Sequence, residues 1–152
     1  MTGLGQPSGT SPFVSGSPEE TEAIAARVAA SRPDCPAFYL EGDLGAGKTI
    51  FAKGLAGHYG VDPNQVASPT FALVTRHGEG TRAVYHLDLY RIEHPAELEE
   101  LGIEEMEEEG AVVIVEWPDR LGRFRRSDAL RVRLVRESDD RRRIEVVEEA
   151  CV

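Results

Sequence analysis

The sequence predicts a three-layer α/β domain whose mostly parallel central sheet carries antiparallel hairpin additions, and three observations predict it. A short apolar run, Ala37 to Leu40, enters a glycine-rich turn and then a helical pattern. A nearly pure β-branched run, Ala111 to Val115, has the composition of a strand buried on both faces, which places it mid-sheet. Alternating apolar and polar residues near 71–89 and 130–146 read as hairpins. Helices that alternate with buried strands build layered sheets, and the chain has no internal repeat.

Residues 1–16, rich in Gly, Ser, Thr and Pro, lack periodic hydrophobicity and are expected to form a flexible tail, leaving 17–152 as a single domain. Ser17, Pro18, Glu19 and Glu20 then supply an N-cap, a first-position proline and first-turn acids, so a helix is expected to about Arg32. After the strand at 37–40, a second helix runs from Lys48 to about Tyr59. Phe71 to Arg76 and Ala83 to Leu89 flank His77 to Gly80 as an antiparallel hairpin. Pro95 opens an acidic helix through about Leu101, and Ser138 to Asp140 separate the two strands of the last hairpin.

Composition narrows the function. A net charge of -10 opposes non-specific nucleic-acid binding and favours a protein partner. The charge is uneven: 97–109 is densely acidic, whereas 120–143 holds ten arginines, which form either solvated faces or docking surfaces of opposite sign. No apolar run reaches the roughly 20 residues of a membrane span, and the N-terminus has no secretory pattern, so a cytoplasmic location with no membrane contact is expected. Cys35 and Cys151 form no CxxC and read as passive thiols.

Gly42 to Thr49, GDLGAGKT, matches GxxxxGKS/T between a predicted strand and helix, where that loop works, and makes this a P-loop NTPase fold. Glycines let the backbone N–H groups of Gly45, Ala46 and Gly47 curl around phosphate oxygens, the helix start adds its dipole, Lys48 reaches the β- and γ-oxygens, and the Thr49 hydroxyl can ligate Mg2+. The only lysines are Lys48 and Lys53, so the Asn/Thr-Lys-x-Asp guanine reader is absent, and ATP is the expected nucleotide. The DxxG at Asp119 to Gly122 is read as coincidence. Glu116, which ends the buried run, is the first candidate for the metal carboxylate. Asp88 also ends a strand, with His86 and Tyr90 on its face, either as a site acid or on a solvent-facing side.

The motifs GDLGAGKT, SPTFALV, VYHLDLYRI and VEWP, in this order, resemble those of the bacterial TsaE family, also called YjeE. The resemblance implies an ATPase that works with TsaB and TsaD when threonylcarbamoyl is attached to adenosine beside the anticodon, with tRNA met only through that complex. It implies that Lys48 and Thr49 hold phosphate and Mg2+, that Glu116 is a metal ligand, and that Asp88 is an acid needed for hydrolysis. Thr70, in Ser68 to Phe71, would lie in a switch that senses the γ-phosphate or water, or else in a proline-set turn. Ile50 stands where the family usually repeats threonine, leaving its backbone N–H as the α-phosphate contact, and His77 stands where tyrosine is common. Trp117 either packs over the site or anchors the core. Two rivals remain: a nucleotide-gated assembly factor, and a small-molecule kinase with Arg120, Arg123, Arg125 and Arg126 as its lid.

Overall fold

The computed structural model of the chain describes residues 12–67, 73–78 and 80–148. Within them the order is β1 (Phe13–Ser15), α1 (Pro18–Ser31), β2 (Ala37–Glu41), α2 (Lys48–His58), β3 (Val74–His77), β4 (Val84–Asp88), α3 (Pro95–Glu99), α4 (Ile103–Glu109), β5 (Val112–Glu116), β6 (Leu130–Arg136) and β7 (Arg142–Glu148). One sheet has the strand order β1-β7-β6-β2-β5-β4-β3. Its centre is parallel, with β2 between β6 and β5 and β4 beyond β5. The β3–β4 and β6–β7 pairs are antiparallel, as the two predicted hairpins require.

The parity of the strands makes the layers. Phe38 and Leu40 of β2 with Val112 and Ile114 of β5 face α1 and α2 and form one core. Ala37, Tyr39, Val113 and Val115 point the other way, against Leu98 of α3 and Ile103 and Met106 of α4. Both faces are dry, so β5 needs apolar residues at consecutive positions, which is what its β-branched run supplies. Ser17 caps α1, its side chain accepting from the Glu20 N–H at 3.1 Å. Helices α1 and α2 touch closely enough that a β-carbon on Gly54 would collide with the Glu22 carbonyl and the Ala25 methyl, so that crossing requires glycine.

The expected tail through residue 16 needs correcting over Phe13–Ser15. These residues pair with β7, Phe13 opposite Ile144 and Ser15 opposite Arg142. Phe13 packs on the first core, and the Ser15 and Thr21 hydroxyls share a 2.7 Å hydrogen bond in a buried position. Residues 1–11 lie outside the described residues. The acidic stretch also continues past Leu101 into α4, flanked by Gly102 and Gly110 and held by Ile103 and Met106, one helical turn apart.

Candidate functional site

The strand ends build the site. In the register of the parallel strands, Glu116 lies beside Leu40 on one side and Asp88 on the other, so the carboxyl ends of β2, β5 and β4 meet at one edge. The chain leaves β2 at Glu41, turns through Gly42 to Gly47 and enters α2 over that edge, the position where open α/β sheets hold ligands. Gly47 precedes α2 with φ of 102°, a left-handed conformation that side-chain-bearing residues avoid. The first helical bond of α2 runs from the Phe51 N–H to the Gly47 carbonyl at 2.9 Å. Helix geometry therefore leaves the N–H groups of Lys48, Thr49 and Ile50 without intrahelical acceptors, and they carry the positive end of the dipole.

A cleft of about 340 Å³ joins most of the predicted residues: Gly45, Gly47, Lys48, Thr49, Ile50, Asp88 and Glu116 line it. Ala46 is the exception. It is buried, and its N–H donates to the Asp43 carbonyl at 3.1 Å, inside the loop. Thr70 lies outside the described residues, as do Ser68, Pro69 and Phe71. Four further members complete the lining: Leu44 and Tyr90, to which the sequence assigns no site role, Trp117, one of whose two readings packs it over the site, and Arg142.

Lys48 is buried and donates to the Gly42 carbonyl and, at 3.5 Å, to that of Asp43. Its ammonium stands 3.8 Å from the centre of the Trp117 ring, a cation–π contact. Burial pushes the Lys48 ammonium below its ordinary 10.5, partly opposed by the carboxylates of Glu116, Asp88, Asp43 and Asp119. Trp117 reaches this place through φ of 63°, the one left-handed non-glycine among the described residues, a conformation costly for a bulky side chain. Both readings of this tryptophan are met, since it covers Lys48 on one side and leans on the second core on the other. Tyr90 extends the aromatic wall, its ring 5.0 Å from that of Trp117.

Thr49 and Glu116 form a direct pair, the threonine hydroxyl donating to Glu116 Oε2 at 3.1 Å. With its proton on the carboxylate, the hydroxyl oxygen keeps lone pairs for a cation. Among the described residues no group of three or more His, Cys, Asp or Glu could hold a metal ion. The donor set on offer, one hydroxyl and one carboxylate, suits an ion that takes few protein oxygens and completes its shell with phosphate and water, as Mg2+ does. Glu116 Oε2 has a second partner, His86 Nε2 at 2.7 Å, with both side chains almost fully buried. Sequence reasoning placed His86 on the Asp88 face but gave it no role. The signal lies in the β4–β5 register, which strand parity alone does not give: with Asp88 level with Glu116, residues 86, 88, 114 and 116 share one face. Asp88 Oδ1 accepts from the Tyr90 N–H at 3.0 Å, which fixes the turn that follows β4.

Arg142 arrives from β7 and donates to the Gly45 carbonyl at 3.2 Å and the Ser138 carbonyl at 2.9 Å, tying the last hairpin to the loop. The arginines assigned to a kinase lid are committed elsewhere. Arg120 donates to the carbonyls of Tyr90 and Ile92, Arg123 and Arg125 pair with Glu99 and Glu41, and Arg126 forms a fork with Asp128. They brace the second face and build no lid.

A family model described as "Threonylcarbamoyl adenosine biosynthesis protein TsaE" matches residues 15–144. The chain is similar to the tRNA threonylcarbamoyladenosine biosynthesis protein TsaE of Bacillus subtilis (strain 168), 40% identical over 127 residues, which is 84% of this chain and 78% of that protein. It is similar also to the TsaE of Rickettsia bellii (strain RML369-C), 32% identical over 133 residues, 88% of this chain and 92% of the relative. The crystal structure of Bacillus subtilis YdiB superposes with a TM-score of 0.70 at 29% identity, covering 93% of this chain and 87% of that one.

Proposed function

The chain belongs to the TsaE family of threonylcarbamoyl adenosine biosynthesis proteins, and on that premise we propose that it is an ATPase that supports tRNA threonylcarbamoyladenosine formation. The observation that carries the ATPase reading is the meeting of Lys48, Thr49 and Glu116 at one sheet edge under the start of α2. Its partners are TsaB and TsaD, tRNA is met through their complex, and the setting is the cytoplasm. Among the described residues no helix is long and apolar enough to cross a membrane.

In hydrolysis, water attacks the γ-phosphorus, the bond to the β,γ-bridging oxygen breaks, ADP leaves with the electron pair, and the proton given up by the water passes to solvent, leaving inorganic phosphate. Lys48 and the N–H groups at the start of α2 bind the β- and γ-oxygens and stabilise charge as it spreads over them. Thr49 and Glu116 would hold Mg2+, which would supply positive charge against the negative charge that develops during transfer. Asp88, on the strand beside Glu116, orients the attacking water, and Thr70 acts as the γ-phosphate sensor on the strength of its motif. Trp117 and Tyr90 exclude water from the Lys48 side.

A second reading, a nucleotide-gated assembly factor with incidental hydrolysis, is favoured by one feature. Leu44 and Tyr90, 67% and 44% exposed, are large apolar side chains at the rim of this cleft, where a partner would cover the nucleotide. Phosphate release in the presence and absence of TsaB and TsaD separates the two. The ATPase reading expects slow Mg2+-dependent release by the chain alone and a marked increase with the partners. Equal rates in both would remove the coupling.

A further inference from the structure

We propose that His86 is a positioning residue for the cation site, donating its Nε2–H to Glu116 Oε2 so that the other carboxylate oxygen is presented to Mg2+; this rests on the ATPase reading above. Two donors converge on one oxygen, His86 Nε2 at 2.7 Å and the Thr49 hydroxyl at 3.1 Å. An oxygen that accepts two hydrogen bonds in a buried position is a poor metal ligand, whereas Oε1 of the same group keeps its lone pairs. The carboxylate is thereby turned and held before any ion arrives, so less orientational freedom is lost on binding.

The tautomer follows from the surroundings of the ring. His86 is 1% exposed, and among the described residues its Nδ1 is buried with no hydrogen-bond partner. A proton on Nδ1 would be an unsatisfied buried donor, and Nε2 would then face the carboxylate lone pair to lone pair. With the proton on Nε2, the short bond to the carboxylate forms, and the bare Nδ1 is an acceptor rather than a stranded N–H. The strand register makes the reach possible. His86 is level with Ile114, two residues before the Asp88–Glu116 pair, and all four share a face, so the imidazole needs only to lean along the strand toward Glu116.

The test compares the wild-type chain with His86→Leu, which keeps volume but has no donor, and His86→Gln, which restores an N–H at similar reach. Binding of Mn2+ to the ADP complex is read by electron paramagnetic resonance, and metal-free ADP binding by calorimetry. The leucine variant is expected to lose roughly 10- to 100-fold in Mn2+ affinity, glutamine to recover most of it, and metal-free ADP binding to stay within about twofold in both. Wild-type Mn2+ affinity in both variants overturns the proposal and leaves the ATPase reading intact. A wild-type chain that binds no Mn2+–ADP overturns the ATPase reading itself. If the leucine chain does not fold, 15N NMR of labelled histidine in the wild-type protein decides: protonated Nε2 is expected, and an Nδ1–H signal for His86 refutes the assignment.

Discussion

Replacing Thr49 with valine keeps the shape of the side chain and deletes the hydroxyl that faces Glu116 Oε2 at 3.1 Å. The lost bond is to a charged acceptor, worth about 1.5–3 kcal/mol when such bonds are broken in proteins. Here Oε2 retains His86 as a donor at 2.7 Å, so no carboxylate oxygen is stranded, and the net cost falls to about 1 kcal/mol. For a domain of this size that lowers Tm by roughly 2–4 °C. The effect on catalysis is of another order, because the same hydroxyl is the proposed metal ligand. Mg2+-dependent hydrolysis is expected to fall at least about tenfold, with metal-free ADP affinity unchanged. Thermal melts, phosphate release across a Mg2+ titration and calorimetry read the three quantities. A Thr49→Val chain that hydrolyses ATP at the wild-type rate at limiting Mg2+ would refute the placement of the cation at Thr49 and Glu116.

Gly54→Ala should destabilise by about 1–3 kcal/mol, because the added methyl overpacks the α1–α2 crossing; an unchanged melt would contradict the close approach there. Thr21→Val removes one partner of the Ser15 hydroxyl, which keeps the Ser17 carbonyl at 2.8 Å, and should cost about 1 kcal/mol in a denaturant titration, whereas no change would mean that β1 is not docked as described. For Lys48 the sign follows from burial, which holds its folded pKa below the ordinary 10.5. The folded state gives up this proton first, so between the folded value and 10.5 the unfolded state binds more protons and stability rises with pH. Relative to Lys48→Met, the wild-type chain should therefore gain in melting temperature as pH climbs toward 10.5, and a gap independent of pH would refute the buried ammonium.

The strands and helices that frame the cleft were legible because each carried a local signal that agreed with its tertiary place. Ser17 and Pro18 marked α1, the glycines and Lys48 marked the turn into α2, and the run ending at Glu116 marked a doubly buried strand. β1 was not legible, since three residues carry no period and its stability comes from pairing with β7, more than a hundred residues away in sequence. The helix α4 was hidden for a related reason: Ile103 and Met106 are its only buried anchors among seven residues. In the site, Thr49, Glu116 and Asp88 could be read from motif and strand end. His86 could not be given a task until the β4–β5 register put it on the Glu116 face, and Arg142 reaches Gly45 only because the last hairpin folds back over the loop.

In the proposed function, nucleotide hydrolysis at Lys48, Thr49 and Glu116 keeps a tRNA-modifying assembly turning over. It is tested most directly by multiple-turnover threonylcarbamoylation of tRNA with TsaB, TsaD, the activated intermediate and ATP, comparing the wild-type chain, Glu116→Ala and no added chain. Repeated cycles are expected with the wild-type chain only. Equal cycling with Glu116→Ala would contradict the need for hydrolysis, and equal cycling without the chain would contradict its part in the modification.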